Sequence, residues 1–236
     1  MSKAMNSNTS RLFWPGKDFS LTPADAYIDE NTFQQEQEKI FLGPTWQLLG
    51  AKAEIPHPGD FQTSYIGTTP IVLHRAHDGS INSYVNRCSH RGARVLRELR
   101  GNQKYPTCPY HNWRYDGTGK LVGVAMEKGM NGKGGYPDSF CKEKNGLKTL
   151  RVSEINGVIF GTLDDSAPNL IEYLGPRISQ RIKDICHKPL KILGYQRQTV
   201  DCNWKLFVEN NRDSYHGPQL HSFVPQFGIA TPAGKV

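Results

Sequence analysis

Residues 108–117 read CPYHNWRYDG, which places a thiol, an imidazole and three aromatic rings within ten positions. Upstream, residues 88–95 read CSHRGARV and supply a second Cys and a second His. Cys88, His90, Cys108 and His111 together follow the spacing C-x-H-x17-C-x2-H. Both stretches are turn-rich, and Gly92 and Gly117 are expected to let the backbone turn tightly there. Each loop therefore offers one soft sulfur ligand and one nitrogen ligand, flanked by rings able to exclude water.

Working outward, the two loops sit among short runs rich in Val, Ile, Tyr, Thr and Leu. FQTSYIG, PIVLHRA, INSYVNR, KLVGVA, LKTLRVSEI and GVIFGTL each predict a strand. Asp78-Gly79, Asp116-Gly117 and Asn156-Gly157 punctuate them as turns. The spacing predicts an all-β domain over residues 45–165. Before it, residues 1–44 form an N-terminal helical segment. Within NTFQQEQEKIFLGPTW, Asn31 is expected to cap a helix with Gln34 as its box partner. Phe33, Ile40 and Phe41 share a face of that helix, and Gly43-Pro44 end it. After the β domain, DDSAPNL reads as a linker into a helix at about 171–186. A second domain, 166–236, is expected from there. Within it LGYQRQTVDCNWKLFVEN reads as strand, turn and the start of a helix.

Composition narrows the class. The 236 residues are 37% hydrophobic, enough for one large domain or two small ones. Mean hydropathy is -0.57, and no apolar run approaches the roughly 18 residues of a membrane span. The polar start MSKAMNSNTS lacks the apolar stretch of a signal peptide, so a cytoplasmic location and no membrane are expected. Five cysteines without a secretory signal favour metal ligands or free thiols over a disulfide framework. The net charge of +7 comes without a basic arm or nucleic-acid module, so no nucleic acid is expected as partner.

Two chemistries suit the four ligands better than a scatter of core cysteines and surface histidines. Cys2His2 is a legitimate tetrahedral zinc set. It is also the ligand set of a Rieske [2Fe–2S] centre, with two Cys on one iron and two His on the other. Zinc fingers group like with like, whereas each loop here supplies one of each kind.

A second constellation lies in NWKLFVENNRDSYHGPQLHSF, residues 203–223. Asp213, His216 and His221 follow D-x-x-H-x4-H. Asp213 and His216 fit one helical face. His216 and His221 lie about 140° apart on an ideal helix. A turn or kink at Gly217-Pro218 is expected to swing His221 toward the same point. Two such histidines could supply two of the three ligands of a 2-His-1-carboxylate site for non-haem Fe(II).

CSHRGARV with CPYHNWRYDGTGKLVG closely resembles the Rieske domain of ring-hydroxylating oxygenases. The 203–223 stretch resembles the mononuclear iron segment of the same family's large subunit. The resemblance implies an α+β chain: an all-β Rieske [2Fe–2S] domain with N-terminal helices, followed by the start of a helix-grip, START-like catalytic domain. It implies that Cys88 and Cys108 hold one iron and His90 and His111 the other. His216 and His221 would bind a mononuclear Fe(II). Asp213 would bridge from His216 to a Rieske His of a neighbouring subunit. Ala93 and Tyr110 stand where respiratory Rieske proteins carry a disulfide, which favours the low-potential type.

The same resemblance implies the terminal oxygenase of a multicomponent dioxygenase. Its electrons come from NAD(P)H through a reductase, with or without a ferredoxin, and O2 and an aromatic compound are its substrates. NGVIFGTL and NWKLFVENNRDSYH look most like members acting on aromatic carboxylates. A trimer, or an α3β3 assembly with a small subunit, is the implied partner arrangement. Arg87, Arg91, Arg94, Arg97 and Arg100 fit either an acidic electron donor or a solvated basic face. The family's carboxylate ligand has no matching segment in this chain, so a partial sequence is expected. The alternative is a Rieske electron-transfer protein lacking a functional oxygenase site.

Overall fold

β-Branched and aromatic runs between turn pairs become a seven-stranded antiparallel sheet. The computed structural model describes residues 21–213 and 215–228. The polar start at 1–10 and the last eight residues, 229–236, lie outside the described residues, as do those parts of the expected end segments. The strands are β1 (Gln47–Ala51), β2 (Asp60–Ile66), β3 (Thr69–Arg75), β4 (Ile81–Val85), β5 (Arg100–Asn102), β8 (Thr149–Ile155) and β9 (Val158–Thr162). Their order across the sheet is β1-β9-β8-β4-β3-β2-β5. β6 (Arg114–Tyr115) and β7 (Leu121–Gly123) form a separate ribbon beside it.

All six β-prone runs of the sequence carry strands. Asn156 and Gly157, with φ of 47° and 85°, make the left-handed pair that a two-residue hairpin requires between β8 and β9. β3 is buried on both faces. Val72 joins one core cluster with Phe61, Tyr84, Trp113 and Tyr115, while Ile71 and Leu73 join another with Leu49, Ile55 and Ile159. The first cluster also contains Cys88 and Cys108, so the ligand loops are rooted in the core.

Two compact units divide the chain. One is residues 35–195. Within it α3 (Leu170–Ile185) is capped by Asn169, whose side chain accepts from the Glu172 N–H. Leu170, Leu174 and Ile182 pack on Trp46 and Ile155. The other unit, among described residues, brings 21–34 together with 196–228. It holds α1 (Asp25–Ile28), the start of α2 (Glu30–Glu36), α4 (Trp204–Arg212), α5 (His216–Leu220) and α6 (Phe223–Gln226). Tyr27 ties its two chain segments, donating from its hydroxyl to Glu209 at 2.7 Å and accepting from Asn203 at 2.9 Å.

Three local expectations differ from the structure. The cap of α2 is Asp29, two residues before the expected Asn31; its carboxylate accepts the Thr32 N–H at 2.7 Å. Asp competes as well as Asn for this role, and Asn31 lies inside the helix. The chain from α2 then continues as a π-helical turn, Gln37–Phe41, and ends before Gly43-Pro44 as expected. Residues 191–200 form no strand, because no sheet edge pairs with them among the described residues.

Candidate redox and metal centres

The two ligand loops are built on one plan. In the first, the Cys88 N–H donates to the Ala93 carbonyl at 2.8 Å, and the Gly92 N–H donates back to the Cys88 carbonyl at 2.8 Å. In the second, the Cys108 N–H donates to the Trp113 carbonyl at 2.8 Å, and the Asn112 N–H to the Cys108 carbonyl at 2.9 Å. The fourth residue after each cysteine is left-handed: Gly92 at φ 75° and Asn112 at φ 54°. Gly117 stands, as expected, in a tight turn, closed by the Gly119 N–H donating to the Asp116 carbonyl at 3.0 Å, but its φ is not left-handed. It is needed for space, since a Cβ there would stand 2.7 Å from the Ala76 Cα.

Cys88 and Cys108 are buried, and the Cys108 thiol lies against Cys88. Burial pushes the Cys88 thiol up from its ordinary range. Burial favours the neutral thiol here, and a metal that takes the thiolate would offset the cost of its charge. The two imidazoles are less buried than the thiols, with ring centroids 4.7 Å apart. Their Nδ1 atoms are buried and have no hydrogen-bond partner. Two neighbouring buried nitrogens without partners are what two metal–imidazole bonds would satisfy. Burial, with the nearby His111 and Arg91, holds His90 below the usual histidine range, which keeps the ring a neutral donor.

The four side chains pair rather than converge. Among the described residues no three His, Cys, Asp or Glu side chains gather around one point as a single ion needs. A thiol pair and an imidazole pair match a two-metal cluster and disfavour one tetrahedral zinc. All five cysteines are free thiols. Trp113 stacks on His90 at 4.8 Å and 11°, and its Nε1 donates to the Tyr136 hydroxyl at 3.1 Å. Tyr110 covers His111 at 4.0 Å, with Arg91 above it.

Sequence reasoning missed two supports. Tyr115, fully buried, accepts the Ser89 N–H at 3.1 Å and lies 3.2 Å from the Cys88 sulfur. Asn86, also buried, closes the first loop: its Oδ1 accepts from the Val95 and Leu96 N–H groups, each at 3.0 Å, and its Nδ2 donates to the Leu96 carbonyl at 2.7 Å. Its place two residues before Cys88 was the available signal. Of the five arginines, all exposed, Arg94 bonds the Tyr65 hydroxyl, and Arg100 stacks on Tyr195 and reaches Glu54 at 3.7 Å.

The second constellation also gathers, by another route than a shared helical face. Asp213 is the C-cap of α4 with extended backbone. Its Oδ1 accepts the Tyr215 N–H at 2.8 Å and its Oδ2 lies 3.0 Å from His216 Nδ1. These bonds hold its carboxyl below the usual range, the Tyr215 N–H contributing most. His216 opens α5 and His221 ends it, and their rings stand 5.4 Å apart. Pro218 falls in the first turn of α5, where a missing N–H costs nothing, so the chain breaks before His216 rather than at Gly217-Pro218. With His216 Nδ1 taken by Asp213, Nε2 is the ring nitrogen that a metal could use. No third ligand joins these rings among the described residues.

Residues 45–132 match the Rieske [2Fe-2S] domain family, and residues 179–233 match the ring hydroxylating alpha subunit (catalytic domain) family. The chain is 41% identical over 226 residues to the anthranilate 1,2-dioxygenase large subunit of Burkholderia cepacia, covering 96% of this chain and 53% of that protein. It is 43% identical over 220 residues to the terephthalate 1,2-dioxygenase terminal oxygenase component subunit alpha 2 of Comamonas sp, covering 93% of this chain and 53% of that protein. Naphthalene 1,2-dioxygenase from Rhodococcus sp. bound to indole superposes with a TM-score of 0.78 at 33% identity, over 89% of this chain and 48% of that one. The chain spans about half the length of the curated relatives it matches. With its β domain, paired Cys/His loops and downstream histidine segment, the chain belongs to the Rieske-type ring-hydroxylating oxygenase large (alpha) subunits.

Proposed function

We propose that the chain is the Rieske portion and the beginning of the catalytic portion of the terminal oxygenase in a multicomponent aromatic-ring dioxygenase. The observation that carries this is the pair of partnerless, buried Nδ1 atoms of His90 and His111, together with the two buried thiols of the same loops. Cys88, Cys108, His90 and His111 would hold the [2Fe–2S] cluster, and His216 with His221 the mononuclear Fe(II). When bound, these groups supply one-electron storage and O2 activation. The protein's part is orientation and exclusion of water. Trp113 and Tyr110 cover the two imidazoles, and Tyr115 fixes Cys88. Asp213 holds His216 with Nε2 outward, as a carboxylate behind a metal-bound imidazole does. Its proposed bridge to a Rieske histidine of a neighbouring subunit extends the same hydrogen bond.

The remaining parts of the reading follow together. Domain limits of 1–44, 45–165 and 166–236 fit the two families matched in order along the chain. Electrons from NAD(P)H through a reductase or ferredoxin, a trimeric or α3β3 assembly, and a cytoplasmic site of action belong to the proposal. No described helix is long and apolar enough to cross a membrane. An aromatic carboxylate as substrate is supported by similarity to the anthranilate and terephthalate dioxygenases and to a salicylate 5-hydroxylase of Ralstonia sp, 41% identical over 221 residues. The test is O2-dependent, NADH-driven turnover with a reductase, comparing anthranilate, terephthalate and salicylate with naphthalene and biphenyl, in the protein from its native host. Hydroxylation of a carboxylate is expected; turnover of the neutral hydrocarbons alone would overturn the substrate class.

A further inference from the structure

His74 lies on β3, fully buried and outside both ligand loops. Its Nε2 is 3.0 Å from the Gln103 carbonyl oxygen, and its Nδ1 is 3.2 Å from the Gly117 carbonyl oxygen. Gln103 directly follows β5, and Gly117 lies two residues after β6. The two carbonyls therefore mark the two ends of the segment that carries Cys108 and His111. A carbonyl only accepts, so a ring N–H donates to one of them while the other ring nitrogen packs against the second. The fit is close, since a Cβ on Gly117 would meet His74 Nδ1 at 2.8 Å. Tyr84 covers the imidazole with ring centroids 6.2 Å apart. The device parallels Asn86, which closes the base of the first loop through three hydrogen bonds.

We propose that His74 is a positioning residue that clamps both ends of the second ligand loop to β3, and so fixes where Cys108 and His111 stand against the first loop. This rests on the reading of that loop as a cluster carrier. Its effect would pass through the backbone of residues 104–116, since the ring nitrogens lie against the carbonyls at the two ends of that segment rather than against a ligand.

The test uses the full chain purified with its iron and sulfide. Its readouts are the rate at which a ferrous chelator bleaches the visible absorbance, the EPR g values after dithionite reduction, and the melting temperature. His74→Phe keeps an aromatic ring and removes both ring nitrogens; it is expected to speed bleaching about tenfold, as loss of a buried hydrogen bond implies, and to shift the g values. His74→Gln keeps one donor group and is expected to recover part of the effect. Gly117→Ala presses on Nδ1 from the other side. Combined with His74→Phe it is expected to add little to either single change, as residues of one unit do. A His74→Phe protein with a lowered melting temperature but wild-type bleaching and g values would make His74 only a fold residue and overturn the proposal. If His74→Phe does not fold, His74→Gln and Gly117→Ala carry the same comparison, and wild-type behaviour in both overturns it. A wild-type chain holding no iron and sulfide overturns the loop reading itself, a failure separable from that of the clamp.

Discussion

Tyr115 carries the clearest single-residue consequence. Its hydroxyl accepts the Ser89 N–H and stands 3.2 Å from the Cys88 sulfur, so its own proton is free to point at that sulfur. A donor to a ligating sulfur favours the more negative, reduced cluster. Tyr115→Phe is expected to lower the reduction potential on the order of 60 mV, the one-electron equivalent of about 1.4 kcal/mol, measured by EPR-monitored redox titration. An unchanged potential would show that the proton points elsewhere. Asp213 acts on the other site. Asp213→Ala removes the acceptor behind His216 and is expected to weaken iron binding there about 10- to 100-fold, read by ferrous titration with the cluster content as internal control. Asp213→Asn keeps an oxygen acceptor and should lose less.

At the scale of elements, the loops depend on side chains that close their bases. Asn86→Ala would leave two buried N–H groups and one carbonyl without partners, and is expected to destabilise the β unit on the order of 3 kcal/mol in urea unfolding. The β3–β4 turn offers a pH test. Asp78 accepts from the Ser80 hydroxyl and N–H, at 2.6 Å and 2.9 Å, and these bonds lower its carboxyl below the ordinary value. A depressed folded-state value adds stability above the unfolded one and loses it as pH falls through the folded one. Asp78→Asn is therefore expected to flatten the acid limb of the stability profile.

The elements also mark what the sequence could tell. Alternating β-branched runs with Asp-Gly and Asn-Gly pairs made six strands legible, because local pattern and turn chemistry agree there. β5, with the sequence RGN, was not. It has no apolar residue, and its pairing follows from a glycine against which the Phe61 ring closes, a Cβ there meeting that ring at 2.9 Å. The ligand spacing was legible because both loops are local. His74 was not, since only the folded sheet brings it to the second loop; Asn86 and Tyr115 stand beside or within the loops, but the bonds they make to the first loop are set by the fold. The Asp213–His216 pair was found for the wrong reason: a turn after α4, and not a helical face, joins them.

Over the whole molecule, the charge of +7 includes a band of exposed arginines near the first loop. Arg94 holds Tyr65, and Arg100 holds Tyr195 and Glu54; Arg87, Arg97 and Arg91, which lies over Tyr110 beside His111, are the better candidates to meet an acidic electron donor. Arg91→Glu is expected to slow reduction by the donor several-fold at low salt, with the rates converging as screening rises. Equal rates at every ionic strength would leave the band a solvated surface. The central claim is that the paired loops hold a two-iron cluster. Its most direct test is iron, zinc and acid-labile sulfide analysis of the anaerobically purified chain, with EPR after reduction. Two irons and two sulfides, with a Rieske-type signal lost in His90→Ala or His111→Ala, are the predicted result. One zinc and no sulfide would contradict it.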